Sequence, residues 1–258
     1  MRQPPTIETW QLIAFSSFIV LSSIVSMYMR LKLEKDLWIG AVRTVCQLFL
    51  MGFVLKFIFA NANFFLVLGL FIWMIFWASR IINKRVDNKP FDLQMPIFVS
   101  MVVTYILISS MTTGGFLQVK PWYDPAIFIP IAGMVIGNSM NACALSLERL
   151  FSELQDKRDE VEQMLIFGAD SKEAMLPALK TAVKTGMVPS INSMMSVGLV
   201  FIPGMMTGQI IGGQPPVDAA KYQIMIMLMI SASVAIGCSF VTALVARRCF
   251  NSRHQFKF

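Results

Sequence analysis

Long, nearly unbroken apolar runs separated by short polar connections dominate the chain. Seven runs approach the roughly 20 apolar residues that a helix needs to cross the hydrocarbon core of a bilayer. They are Trp10–Met29, Ile39–Phe59, Phe64–Ile82, Pro96–Thr113, Pro125–Leu145, Val188–Ile211 and Tyr222–Ala246. The pattern predicts an all-α, polytopic integral membrane protein with about seven transmembrane helices. Three connections are short (Ala60–Asn63, Gly114–Asp124, Gly212–Lys221), and one, Ser146 to Met187, is long.

The period changes inside that long connection. Leu147, Leu150, Phe151, Leu154, Val161, Met164 and Leu165 recur at helical spacing, and Glu148, Glu153, Asp156 to Glu160 and Glu162 fill the other face. This is an amphipathic helix running on from the fifth apolar run. It ends near Gly168, a residue type that closes helices in the left-handed conformation. Asp170 then stands as an N-cap with Glu173 three residues on. A second helix follows, which Pro177 divides. The connection therefore reads as a hairpin over about 146–187. Its first helix is too acidic to suit an anionic lipid surface, which favours a protein partner.

Composition agrees with the membrane reading. Of 258 residues, 56% are hydrophobic and only 14% charged, against about 25% charged in a soluble domain. The net charge of +7 could suggest nucleic acid, but the placement of Lys and Arg explains it. One set of connections holds Arg30, Lys32, Lys35, Arg80, Lys84, Arg85, Lys89, Arg149, Lys157, Arg158, Lys172, Lys180, Lys184, Arg247, Arg248, Arg253 and Lys257; the other holds Arg2, Lys56, Lys120 and Lys221. The asymmetry predicts the N-terminus outside, the C-terminus and the hairpin inside, and no nucleic-acid partner. The opening residues lack the pattern of a cleaved signal peptide.

Candidate chemistry is sparse. The four cysteines show no metal-binding spacing, and the one histidine, His254, lies in the tail. Neither a zinc site nor histidine catalysis is expected. No Asp or Glu lies well inside a run, which counts against a proton-coupled pump and against a hard-cation cage. Arg43 lies inside the second run, where its stem can reach back to the headgroups. The sixth run contains Pro203-Gly204, which predicts a bent or broken helix. Such breaks line transport pathways in some membrane proteins and are packing kinks in others; both readings stand. Gly204, Gly208 and Gly212 share a face, as do Gly133 and Gly137, and Ser231 and Ala235, spacings that admit close helix approach within a subunit or between subunits. Eight of the 20 methionines fall between Met187 and Met229, either as soft-metal ligands or, preferred here, as core filler. Asn138, Asn141, Gln209 and Tyr222 are polar groups in or beside the last three runs.

Several strings carry a family resemblance. Glu162-Gln-Met-Leu-Ile-Phe-Gly168-Ala169 resembles the coupling loop of ABC-transporter permeases. Leu33-Glu-Lys-Asp36, Pro130-Ile-Ala-Gly133-Met134 with Gly137-Asn138, Gly198 through Pro203-Gly-Met-Met-Thr-Gly208-Gln209, then Gly213, Pro216, Ala220, Tyr222-Gln223 and the tail Asn251–Gln255 resemble the FetB-type permeases. These are known as iron-export ABC permeases in bacteria, with plant aluminium-tolerance permeases as relatives. The resemblance is densest from Pro130 to Gln223. It implies a single transmembrane permease domain over residues 1–258, in the cell inner membrane, exporting iron or a related metal. It implies a separate ABC ATPase subunit holding ATP and magnesium, and a permease homodimer. The chain has no GxxxxGK[ST] motif, so no P-loop of its own, and is not expected to be an enzyme. In this reading Glu162, Gly168, Ala169, Asp170 and Glu173 couple to the ATPase. Pro203, Gly204, Met205, Met206, Thr207, Gly208, Gln209 and Asn138 form the pathway and its hinge, with no metal ligand identified. A stand-alone carrier or channel is the alternative.

Overall fold

The computed structural model describes residues 8–86, 89 and 91–250. Arg2, Arg253, His254, Lys257 and the Asn251–Gln255 string lie outside them. The described residues form α1 (Thr9–Phe15), α2 (Ser17–Tyr28), α3 (Glu34–Asn61), α4 (Phe64–Arg85), α5 (Gln94–Ser110), a π-helical segment (Met111–Phe116), α6 (Pro125–Asp156), α7 (Arg158–Ile166), α8 (Ser171–Ser196), α9 (Gly204–Ile211) and α10 (Pro216–Arg248). There is no strand among them, and Val197 and Phe201 form an isolated bridge. The protein is all-α and polytopic.

Helix starts follow local chemistry. Asn63 accepts the Phe65 amide at 2.9 Å to cap α4, and Asp124 accepts that of Ala126 at 2.9 Å to cap α6, with Pro125 in the first turn. Lys84 and Arg85 close α4, and Arg247 and Arg248 close α10, where they oppose the negative end of the helix dipole.

The chain divides into two compact units. In the first, comprising residues up to Ala62 and Ile211–Gly213, α2 turns into α3 through Arg30 and Lys32, both at positive φ. Buried Ser26 holds that turn: its Oγ donates to Glu34 Oε1 at 2.8 Å and accepts the Leu33 amide at 3.1 Å. Most apolar side chains of α2 and α3 face outward, as lipid-facing helices do. Arg43 is exposed on α3.

The second unit holds α4 through Ile210 of α9, and α10. Its centre is α6, which packs along α4, α5, α8 and α10. Tyr105, Phe71, Ile75, Leu147, Leu150 and Leu154 are fully buried there. Ser139 meets Ser233 at 3.1 Å, and further along both helices Cys143 lies beside Gly237, so α6 and α10 run parallel. Gly186 of α8 abuts Ser146 and Ala142, whereas later residues of α8 lie beside earlier residues of α6. Thus α8 runs back along α6.

Three sequence expectations are corrected. Among the described residues, six helical stretches are long and apolar enough to cross a membrane as continuous helices: Trp10–Tyr28, Glu34–Asn61, Phe64–Arg85, Gln94–Phe116, Pro125–Asp156 and Pro216–Arg248. The seventh expected run, Val188–Ile211, is shared between the end of α8, an irregular turn and α9. Its break starts at Val197, which is extended, and Gly198, at φ +81°, several residues before Pro203. Pro177 does not divide the second hairpin helix: α8 runs through both Pro177 and Pro189, because neighbouring helices hold it on its buried Ala174, Ala178 and Ala182 face. Finally, the first hairpin helix is interrupted at Lys157, between α6 and α7.

Candidate functional site

Two features stand out: the hairpin α6–α7–α8, and a cavity lined by the same α6 and α8 farther along. Local bonds shape the hairpin turn. Gly168, at φ +91°, donates to the Leu165 carbonyl at 3.1 Å, and Ala169 donates to that of Met164 at 2.9 Å. This is the paired closure that a left-handed residue after a helix end allows. Asp170 and Glu173 then form a reciprocal capping box at the start of α8. Glu162 accepts Arg158 Nε at 2.9 Å. The residues expected to couple to a partner are thus the ones that shape the turn.

What the turn presents is apolar. Ile166 is 82% and Phe167 87% exposed, whereas Val161, on the same short helix, is 4% exposed. Sequence reasoning missed this pair. The signal was available: Val161 and Leu165 form the inward i, i+4 face, which leaves the next two residues turned outward. At the base of the hairpin, Glu153 is buried between two cations. The Lys157 ammonium lies 3.2 Å from its carboxylate on one side, and the Arg149 guanidinium pairs with it on the other.

A cavity of about 350 Å³ opens between α6, α8, α10 and the α8–α9 break. Asn138, Asn141, Ser190, Ser193, Gln223 and Met205 contribute to its wall, and no charged side chain lines it. A second cavity of about 410 Å³ shares Pro203, Gln223 and Met227 with the first and adds Met194 and Met206. Gln223 is 6% exposed, and its Oε1 is buried without a hydrogen-bond partner; Gln209 Oε1 is likewise unpartnered. Asn138 donates to the Met134 carbonyl at 2.8 Å. The Arg85 guanidinium reaches Asn141 Oδ1 at 3.4 Å and Glu148 Oε1 at 3.1 Å, which ties the cavity rim to the hairpin base.

The expected hinge and pathway residues divide. The Pro203 carbonyl accepts the Thr207 amide at 3.0 Å, the first i→i−4 bond of α9, so Pro203 starts α9 rather than kinking a longer helix. Gly204 and Met205 line the first cavity and Met206 the second. Thr207 and Gly208 are exposed and line neither. A Cβ at Gly137, Gly204 or Gly208 would meet nothing within 4 Å, and one at Gly133 only the Met74 methyl at 3.4 Å. Gly212 follows α9 and is exposed. Ser231 and Ala235 are half-buried, and the inward face of α10 runs instead through Ser233 and Gly237. The tight contact lies at Gly186, where a Cβ would be 2.0 Å from Ser146 Oγ, 2.7 Å from the Ala142 carbonyl and 3.1 Å from Cys238 Sγ. Among the described residues, no three of His, Cys, Asp and Glu are grouped to hold a metal ion.

The model of a family described as uncharacterised protein family UPF0014 matches residues 9–250. The chain is 33% identical to "UPF0014 membrane protein slr1647" of Synechocystis sp., covering 85% of this chain and 84% of that one. It is 31% identical to "Probable iron export permease protein FetB" of Escherichia coli, covering 92% and 90% of the two chains. It is 29% identical to "Protein ALUMINUM SENSITIVE 3" of Arabidopsis thaliana, covering 93% and 86%. No solved structure matches.

Proposed function

The chain belongs to the UPF0014 family of membrane proteins, and from that membership we propose that it is the membrane-spanning permease subunit of an ABC exporter. One permease domain spans the chain, ATP binds to a separate ATPase subunit, and the cargo is iron or a related metal, free or chelated. The name of the Escherichia coli relative supports the cargo class. In this reading the chain crosses the membrane seven times, the seventh crossing being α8 and α9 with their break. The basic connections and the hairpin face the cytoplasm of the cell inner membrane, and two permease chains act together.

The observation that carries the reading is continuity. α6 and α8 supply both the hairpin and two walls of the cavity, with no break between Pro125 and Asp156 or between Ser171 and Ser196. A force on the tip therefore reaches the cavity along α8, while α7 is set off from α6 at Lys157. Ile166 and Phe167 are the anchors on which an ATPase docks. An aromatic anchor at the centre of an interface is worth at least about 2 kcal/mol, roughly 30-fold in affinity.

The test is copurification and ATPase stimulation with the ATPase subunit from the same host. Phe167→Ala and Gly168→Trp are expected to weaken association and abolish stimulation. Phe65→Ala, at a lipid-facing position outside the hairpin, leaves both unchanged. Unaltered stimulation in both hairpin variants refutes the docking role. Uphill transport by the reconstituted chain alone refutes the ABC reading and favours a carrier.

A further inference from the structure

The lining of the cavity beside the α8–α9 break bears on what it holds. We propose that this cavity takes an electroneutral organic molecule that presents hydrogen-bond donors, rather than a bare metal ion; calling that molecule the cargo rests on the permease reading above.

Size decides first. The cavity is about 350 Å³, and a water molecule occupies about 30 Å³ of liquid. A desolvated metal ion, smaller than a water, would touch few of these walls at once. Charge decides second. The wall contains amides, hydroxyls and thioethers but no charged group. A bare hard cation needs several oxygen ligands, carboxylates among them, and an uncompensated charge in such a place is strongly unfavourable. Among the described residues no acidic, thiol or imidazole trio supplies that compensation anywhere.

The third observation points to donors. Gln223 is 6% exposed, borders both cavities, and has an Oε1 with no partner. That acceptor is sealed from the cavity as the side chain stands, and turning the carboxamide about its last torsion brings it to the wall, where a ligand's donor satisfies it. Met205 and Met227 add soft, adaptable apolar surface around it. The matching chemistry has two sources: an organic ligand wrapped around a metal as a neutral chelate, or the same ligand without metal.

The experiment uses the purified full chain in lipid nanodiscs with no ATPase, followed by equilibrium dialysis. The probes are ferric tris(acetohydroxamate), which is neutral and carries outward N–H donors, metal-free acetohydroxamic acid, and ferrous ion. Saturable binding of an organic probe is expected, at least about tenfold weaker in Gln223→Leu, the loss of one well-placed hydrogen bond. Gly204→Phe, which places a ring at a residue of the cavity wall, is expected to weaken binding at least as much. Both variants should keep the elution profile of the unmodified chain. Preference for the ferric complex assigns the chelate as the source; equal or tighter binding of the free acid assigns the metal-free ligand. Ferrous binding that Gln223→Leu weakens, organic binding indifferent to both variants, or no saturable binding of either organic probe overturns the proposal. Loss of ATPase coupling leaves this readout untouched, so the two ideas fail separately.

Discussion

Gly186 concentrates the tightest packing in the second unit on one atom that is not there. An alanine methyl at this position would collide with the Ala142 carbonyl as well as with Ser146 Oγ. The hydroxyl can rotate, but the carbonyl belongs to the backbone of α6. Gly186→Ala is therefore expected to destabilise the protein by about 1–3 kcal/mol through overpacking, and adding Ser146→Ala should restore only part of it. Thermal unfolding in detergent checks both. Glu153 is buried between Arg149 and Lys157. Glu153→Gln removes the partner the two cations share and is expected to lower the melting temperature.

At the scale of elements, the sequence exposed the chemistry of turns better than the placement of breaks. Gly168, Asp170 and Glu173 were readable because their backbone roles are local: a left-handed closure, then a capping box. Pro203 pointed to the right segment but to the wrong residue. The helix is already over at Val197, where Gly198 takes a left-handed conformation, and Pro203 merely opens α9. Pro177 misled in the opposite direction. Its missing donor is one bond, and the buried alanine face of α8 outweighs it. Gly186 could not be found from spacing, since what it meets comes from α6 and α10, far away in sequence. These placements predict that Pro203→Ala leaves the break in place, whereas Gly198→Val, a β-branched residue forced to φ +81°, strains it by roughly 1–2 kcal/mol. Limited proteolysis between α8 and α9 and transport assays on both variants distinguish the two positions.

For the whole molecule, apolar runs and the asymmetry of Lys and Arg made the membrane class legible from the sequence. The broken passage was less so, because hydropathy measures composition and is blind to whether a helix is continuous. The orientation proposed above has a direct consequence. A cysteine introduced at Phe167, 87% exposed, should react with an impermeant maleimide only when the cytoplasmic face is opened. One at Lys120, in the connection before α6, should react from the other side. Buried Cys143, Cys238 and Cys249 should stay silent in both cases. Labelling of position 167 from outside would invert the topology and remove the hairpin from reach of any ATPase.

The close contact of α8 with α6 has a mechanical meaning. Gly186 and Ser146 stand between the exposed tip and the cavity, so under the permease reading this contact pins the two rods together. Motion applied in the cytoplasm must pass that pin to reach the membrane. A side chain wedged there would block transmission even with both ends intact.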